Sequence, residues 1–365
     1  MQKKIIALAI AGLASTAAFA QSNVTVYGVA DVYYGNGSAS GKETRTSINS
    51  SGLSGSRIGF KGTEDLGNGL KALFTLEYGI AVDGNTGVGS AGTTSSTTAR
   101  QQFVGVTGGF GTVLGGRLQT AGYDFSAVSN TFHGSAINPL ASVQGGFAAG
   151  PTLNGQGAGF SLIGQSSRAS NAVAYVSPTL FGGLVLAYNH ARLSETATTG
   201  TTSDNTANLY SATYTAGPAV VSAVVANAGL NNALVTGAPH LNEWAIGGGY
   251  DFGVVNLKGS YQSSKLDGTS GNDKAWQVSA LVPVTAAGKI NFGYAKLKKG
   301  STTASDDASS WTLAYLHSLS KRTTLYTGYQ RVSNSGTQTL GTALADTPTA
   351  GSSARGFVAG VNHSF

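Results

Sequence analysis

Arg355 to Phe365 read RGFVAGVNHSF, and this stretch decides the fold. In an extended chain Phe357, Ala359, Val361, His363 and Phe365 fall on one face, and the chain ends on an aromatic. Period two over this length describes a membrane-facing β-strand finishing in an interfacial girdle, not a soluble tail. The other end agrees. Lys3 and Lys4 precede an apolar run over residues 5–13, then small residues and the cleavage-like triplet Ala18-Phe19-Ala20. The expectation is a signal peptide over residues 1–20, cleaved near Ala20, and an exported domain over residues 21–365.

The apolar part of that leader is too short to span a bilayer, and no later stretch supplies the roughly 18 uncharged apolar residues that a transmembrane helix needs. With 41% apolar and only 10% charged residues, the chain fits either a soluble secreted β-protein or a barrel in lipid. Apolar residues at alternate positions in segment after segment, each roughly ten residues long, favour the barrel. The absence of Cys fits an oxidising compartment without disulfides. Losing Lys3 and Lys4 with the leader lowers the formal charge from +6 by two units, a balance too mild for nucleic acid.

About 16 such segments follow one another: 24–34, 57–62, 70–80, 100–107, 112–117, 168–177, 183–190, 207–215, 219–227, 242–252, 254–263, 274–284, 289–298, 310–319, 323–332 and 355–365. In the first, Val24, Val26, Gly28, Ala30, Val32 and Tyr34 suit lipid, while Thr25, Tyr27, Val29, Asp31 and Tyr33 face the other way. Turns are expected at 64–69 and 108–111. Short turns at 216–218, 251–253 and 286–288 alternate with long polar loops at 85–98, 194–206 and 333–354. That asymmetry is typical of outer-membrane barrels, and an even strand count leaves both termini on the short-turn side. Closure is required, since an open edge in hydrocarbon would strand unpaired backbone groups. Trp244, Ile246, Gly248 and Tyr250 share one parity, as do Trp311, Leu313 and Tyr315, and together they read as girdle positions. The fold class is therefore all-β, a transmembrane antiparallel β-barrel.

Parity also aims charges into the lumen, because a mid-strand charge on the lipid side costs roughly 2–4 kcal/mol. With Ile58 and Phe60 outward, Arg57 and Lys61 point inward. Lys71, Thr75 and Glu77 lie opposite Leu70, Phe74 and Leu76, and Lys258 lies opposite Leu257 and Tyr261. Arg100 follows if Phe103 is outward, and Arg168 if Val173 and Tyr175 are outward. Asp31 and Glu243 are the other inward carboxylates. Lys298 and Lys299 are assigned to an exposed loop.

The stretches Val24-Thr25-Val26-Tyr27-Gly28, Ser56-Arg57-Ile58-Gly59-Phe60-Lys61-Gly62, Gly115-Gly116-Arg117 and Asn171-Ala172-Val173-Ala174-Tyr175 resemble the general porins of Gram-negative outer membranes. The resemblance covers the whole mature chain and is strongest to the β-proteobacterial branch. It implies a homotrimer of sixteen-stranded barrels embedded in outer-membrane lipid, each with a water-filled pore narrowed by the third extracellular loop, residues 118–165. It gathers Arg57, Arg100 and Arg168 into a basic cluster on the barrel wall at the constriction, with Arg117 at the loop's root extending it. It also makes Phe365 the signal read by the barrel assembly machinery. The chain departs from the usual pattern in its loop, where Asp124 is the one acid facing the arginines. A net positive field at the constriction follows, and such a field favours anions.

No enzyme signature competes with this reading. His133, His190, His240, His317 and His363 are scattered among loops and strand ends, and no G-x-S-x-G occurs. There is no H-E-x-x-H, no Cys ligand and no EF-hand loop, so the acids at 267–273 and 306–307 read as solvated loop tips. The function expected is passive diffusion of ions and small hydrophilic, anionic or neutral solutes, without a cofactor. The alternative is a non-conducting barrel with an adhesin or structural role, which a conductance trace separates.

Overall fold

The structure is a computed structural model that describes residues 23–84, 99–147, 161–164, 168–192, 197–198, 201–202, 205–229, 240–300 and 306–365. The expected leader over residues 1–20, the loop at 85–98 and parts of the loops at 118–165 and 194–206 lie outside the described residues. The strands are β1 (Asn23–Ala39), β2 (Arg45–Ser50), β3 (Arg57–Gly67), β4 (Leu70–Gly79), β5 (Ala99–Gly108), β6 (Gly111–Gln119), β7 (Arg168–Val176) and β8 (Leu184–Arg192). After the short hairpin β9 (Ala197–Thr198) and β10 (Thr201–Thr202) come β11 (Thr206–Ala216), β12 (Ala219–Gly229), β13 (His240–Asp251), β14 (Asn256–Leu266), β15 (Asp273–Pro283), β16 (Gly288–Lys298), β17 (Ala308–Ser318), β18 (Thr323–Asn334) and β19 (Ser353–Ser364).

Every neighbour in the ladder is antiparallel, and β19 returns to pair with β1, so the sheet closes. β2 and β3 both pair with β1, β2 along 32–37 and β3 along 23–29, and so occupy one barrel position. Taking them as one interrupted strand gives a closed 16-stranded barrel. The interruption over residues 51–56 was not legible in the sequence. The Asp31 carboxylate gathers it inward, accepting from the N–H groups of Gly52, Leu53 and Ser54, each at 2.9 Å. β2 and the upper part of β1 also extend the strands past the expected boundary at Tyr34, because beyond the hydrocarbon the ladder continues without needing apolar alternation. The turn expected at 64–69 shrinks to Asn68 and Gly69, whose φ values of +52° and +77° suit a tight hairpin.

Alternation is realised as expected on the outer face. Val24, Val26, Phe60, Leu76, Val104, Val173, Tyr210, Trp244, Ile246, Tyr250 and Phe357 are exposed there. Trp244–Tyr261, Trp276–Tyr294 and Trp311–Tyr329 ring pairs, with centroids 5.4–5.6 Å apart, form one girdle. At the closing seam Gly28 and Phe365 exchange two backbone hydrogen bonds of 3.1 Å. The Phe365 ring lies over Gly28 so closely that a Cβ there would be 2.3 Å from its Cζ.

The third loop carries two helices that strand periodicity does not register, α1 (Ala121–Ser129) and α2 (Pro139–Gln144). Thr120 caps the first through a hydrogen bond from Tyr123 N–H, and Asn138 caps the second, with Pro139 at its first position. α1 packs on β11–β14 through Ala121 and Phe125 against Leu209, Val224 and Leu241. α2 packs on β15–β18 through Leu140 and Val143 against Ala275, Ala295 and Leu297. The loop therefore lies inside the barrel, along the wall opposite β3–β7.

Candidate functional site: a basic cluster on the lumen wall

On the wall facing the loop, Glu77 sits in β4 with 4% of its surface exposed. Arg100 Nε donates to its Oε1 at 2.7 Å. Arg57 Nε lies 3.5 Å from Oε2, and Arg168 Nη2 lies 4.0 Å from Oε1. Tyr27 O–H donates to Oε2 at 3.1 Å. Three guanidinium groups thus surround one carboxylate. Glu77 reaches this point because its register partners Gly59 and Gln101 share its face, and Tyr27 pairs with Gly59 in the next strand. Arg57 is further fixed by a 2.7 Å bond from Nη1 to Gly55 O, and the Arg168 guanidinium stands 5.1 Å from the Tyr123 ring centroid.

The premise that aimed Arg100 inward fails. Val104 and Val106 are the exposed residues of β5, and Phe103 packs inward with Leu118, Ala169 and Ala172. Alternation alone would then turn Arg100 outward. Its place beside Glu77 comes from a β-bulge: Glu77 pairs with Gln101 but Tyr78 with Ala99, and Arg100 is the extra residue. A second irregularity, between Gly116 and Leu118 with Asn171 at φ +51°, lies between Tyr175 and Arg168.

Arg117 does not join the cluster. Pairing runs from Phe60 to Leu76 to Gln102 to Arg117, and cross-strand partners share a face. Phe60 and Leu76 are exposed on the outside, so Arg117 has the outward parity. There its Nη1 donates to Ser170 Oγ at 2.8 Å and its Nε to Ala99 O at 2.7 Å.

Other charges that parity sends inward hold the loop or the wall. Lys258 Nζ donates to Ala127 O at 2.8 Å, in the last turn of α1 where carbonyls are free. Glu243, 3% exposed, accepts from Ile163 N–H (3.1 Å), Ser161 O–H (3.1 Å) and Ser264 O–H (2.9 Å), pinning the loop's returning arm to β13. Asp31, fully buried, also accepts from Tyr326 O–H at 2.6 Å and Asn362 Nδ2 at 2.7 Å. Neither acid meets the pore. Lys299 is not on a free loop: its Nζ bonds Asp273 Oδ2 at 2.6 Å and Gly146 O at 2.8 Å, tying the end of α2 to the wall. Lys61 lies inside with its Nζ 5.2 Å from the Tyr27 ring, and Lys71, exposed, pairs with Asp65 near the short-turn end. Asp124, exposed in the first turn of α1, accepts from Gln119 Nε2. Among the described residues no group of three metal-ligating side chains forms.

Two residues of this site were not singled out in the sequence. Tyr27 was already on the inward parity, and Tyr123 carries no signal of its own, since its place depends on α1. His133 Nδ1 lies 3.1 Å from Ser126 Oγ, and its ring meets the Tyr123 ring edge-on at 4.2 Å. Burial, reinforced by the positive charges of Lys258 and Arg168, lowers its pKa to about 4, so it is neutral at pH 7.

A closed barrel with a loop fastened inside it and a charged cluster on the remaining wall defines a β-barrel membrane channel. Residues 7–337 match the Gram-negative porin family. Outer membrane porin protein 32 of Delftia acidovorans is 34% identical over the full length of both chains. Major outer membrane protein P.IB of Neisseria gonorrhoeae is 42% identical over a third of each. The anion-selective porin of Comamonas acidovorans superposes with a TM-score of 0.79 at 30% identity, covering 94% of this chain and all of the other. The chain belongs to the Gram-negative porin family. It is an outer-membrane porin, a channel and not an enzyme.

Proposed function

We propose that this porin favours anions, and that Arg57, Arg100 and Arg168 set the preference. The observation that carries the reading is the ratio at Glu77, three guanidinium groups to one carboxylate, on the lumen wall left open by the loop. Arginine stays protonated at any working pH, and a charged wall backed by low dielectric concentrates counter-ions. The full-length likeness to a porin described as anion-selective supports it. A zero-current potential across a planar bilayer with a KCl gradient tests it: the sign must report chloride over potassium, and the opposite sign overturns it. Absence of conductance would instead favour an adhesin or structural barrel.

The mature protein is proposed to begin near residue 21 and to assemble as a homotrimer. All three tryptophans sit on β13, β15 and β17, while the outer faces of β1–β6 carry Val24, Val26, Tyr34, Phe60, Leu76, Val104 and Val113, with polar Gln102 and Arg117 and no tryptophan. Tryptophan–tyrosine girdles belong against lipid, so the face without those ring pairs is the one offered to neighbouring copies. Unheated protein in mild SDS is expected to run as a trimer and to shift to monomer on boiling; monomer at all temperatures refutes this.

A further inference from the structure

Against the wall of β15–β18, the third loop roofs a recess of ≈ 80 Å³ lined by Leu53, Phe132, Ile137, Leu281, Ala314 and Leu316, with a minority of polar side chains and with His133 in its lining. This room far exceeds the roughly 10–15 Å³ that one water needs. The lining is mostly apolar, unusual for the wall of a water-filled pore. Leu281 and Leu316 carry the inward parity, opposite exposed Val278 and Tyr315, so their partly exposed surfaces meet the lumen and not lipid. His133 links the recess to the arginines: its ring is 4.2 Å from Tyr123, whose ring is 5.1 Å from the Arg168 guanidinium.

We infer that the pore holds, in this recess, the apolar body of small carboxylates whose charged end lies at the arginine cluster. The inference rests on the anion preference proposed above and adds a substrate class to it: amphipathic organic acids, such as aryl-alkanoates, over equally charged hydroxy-acids. Charge complementarity fixes one end of the solute. The two ring-to-ring steps through Tyr123 set the span that its body must cross. Neutral His133 presents an edge that a solute can slide past without adding charge of its own. Small inorganic anions bypass the recess.

The test is block of chloride current through single channels in planar bilayers by 3-phenylpropionate, with gluconate as the equally charged hydrophilic probe. The expected half-blocking concentration for 3-phenylpropionate is about tenfold lower than for gluconate. In the Leu281→Asn, Leu316→Asn variant that advantage should vanish while the KCl reversal potential stays at the wild-type value. Equal block by the two acids in the wild type, or a preserved advantage in the variant, overturns the inference. Should the double variant fail to assemble, Leu316→Asn alone and the wild-type comparison still decide. A reversal potential that reports cation preference would instead remove the reading on which the inference rests.

Discussion

Replacing Arg57, Arg100 and Arg168 together by alanine changes the charge gathered at Glu77 from three positive and one negative to one negative. At about 7 Å from a permeating ion in a water-like medium, each unit charge contributes roughly 0.6 kcal/mol. A Debye length of about 10 Å at 0.1 M salt leaves roughly half of that, and one of about 3 Å at 1 M leaves roughly a tenth. Three arginines then weigh about 0.9 kcal/mol in dilute salt and about 0.2 kcal/mol in concentrated salt. The sign is opposite for anion and cation, so the chloride-to-potassium permeability ratio should drop about 20-fold at 0.1 M and only about twofold at 1 M. The assay is the zero-current potential across a planar bilayer, with heat-modifiable migration as the control for folding. A wild-type reversal potential in the triple variant, or a shift as large at 1 M as at 0.1 M, refutes the assignment.

Glu77→Gln removes the compensating charge held within the cluster, and the same measurement should show the ratio rising about threefold at 0.1 M; a fall would mean that Glu77 matters more for placing the arginines than for its charge. Deleting Phe365, or Gly28→Val, should cut the yield of heat-modifiable barrel, because both disrupt the seam where Gly28 and the terminal ring meet; overpacking there costs about 1–3 kcal/mol. Glu243→Ala cuts the ties from Ile163 N–H and Ser161 to β13, which then keep only each other, and leaves the buried Ser264 hydroxyl without its acceptor, a loss of about 1–3 kcal/mol for that group; it should lower the thermal midpoint and raise open-channel noise. For His133 the folded pKa of about 4 lies below the ordinary 6.5, so the neutral form is the one the fold favours. Its contribution is therefore complete above pH 6.5 and lost as pH falls toward 4; the melting midpoint by circular dichroism should decline across that window, and His133→Gln should flatten the decline.

The barrel was legible because period two is imposed by lipid on one side and water on the other, residue by residue, as in β13 and β19. Where that constraint lapses, legibility lapses with it. β2 contains one apolar residue, Ile48, lies beyond the hydrocarbon, and was invisible. Parity reads a face but not a partner: it puts Lys258, Glu243 and Asp31 on the inner side, where Ala127 O, Ile163 N–H and Gly52 N–H engage them to hold the loop and the wall. Bulges break the count altogether: Arg100 reached its expected neighbourhood through an extra residue that no alternation predicts, and Arg117, one strand further, did not. The loop's helices left a trace in Thr120 and in Asn138-Pro139, which are cap signals that a search for strands passes over.

The position of the acid, more than the number of arginines, sets the kind of field this pore makes. The facing loop sets one carboxylate, Asp124, against three guanidinium groups, too little for a balanced dipole across the pore with separate lanes for anions and cations. Glu77 instead lies within the basic cluster, between Arg57, Arg100 and Arg168, so it cancels one charge and leaves a surplus of two on one wall. It also makes the surplus possible: like charges about 8 Å apart repel by roughly 2 kcal/mol at an effective dielectric of 20, and a shared buried counter-charge offsets that repulsion. Tyr27 occupies Oε2 from the remaining side, and the 2.7 Å bond from Arg100 fixes Oε1. A surplus of one sign is screened by salt as a whole. Anion preference should therefore fade steadily between 0.1 M and 1 M, whereas lanes separated by a transverse dipole would keep both ions permeant throughout.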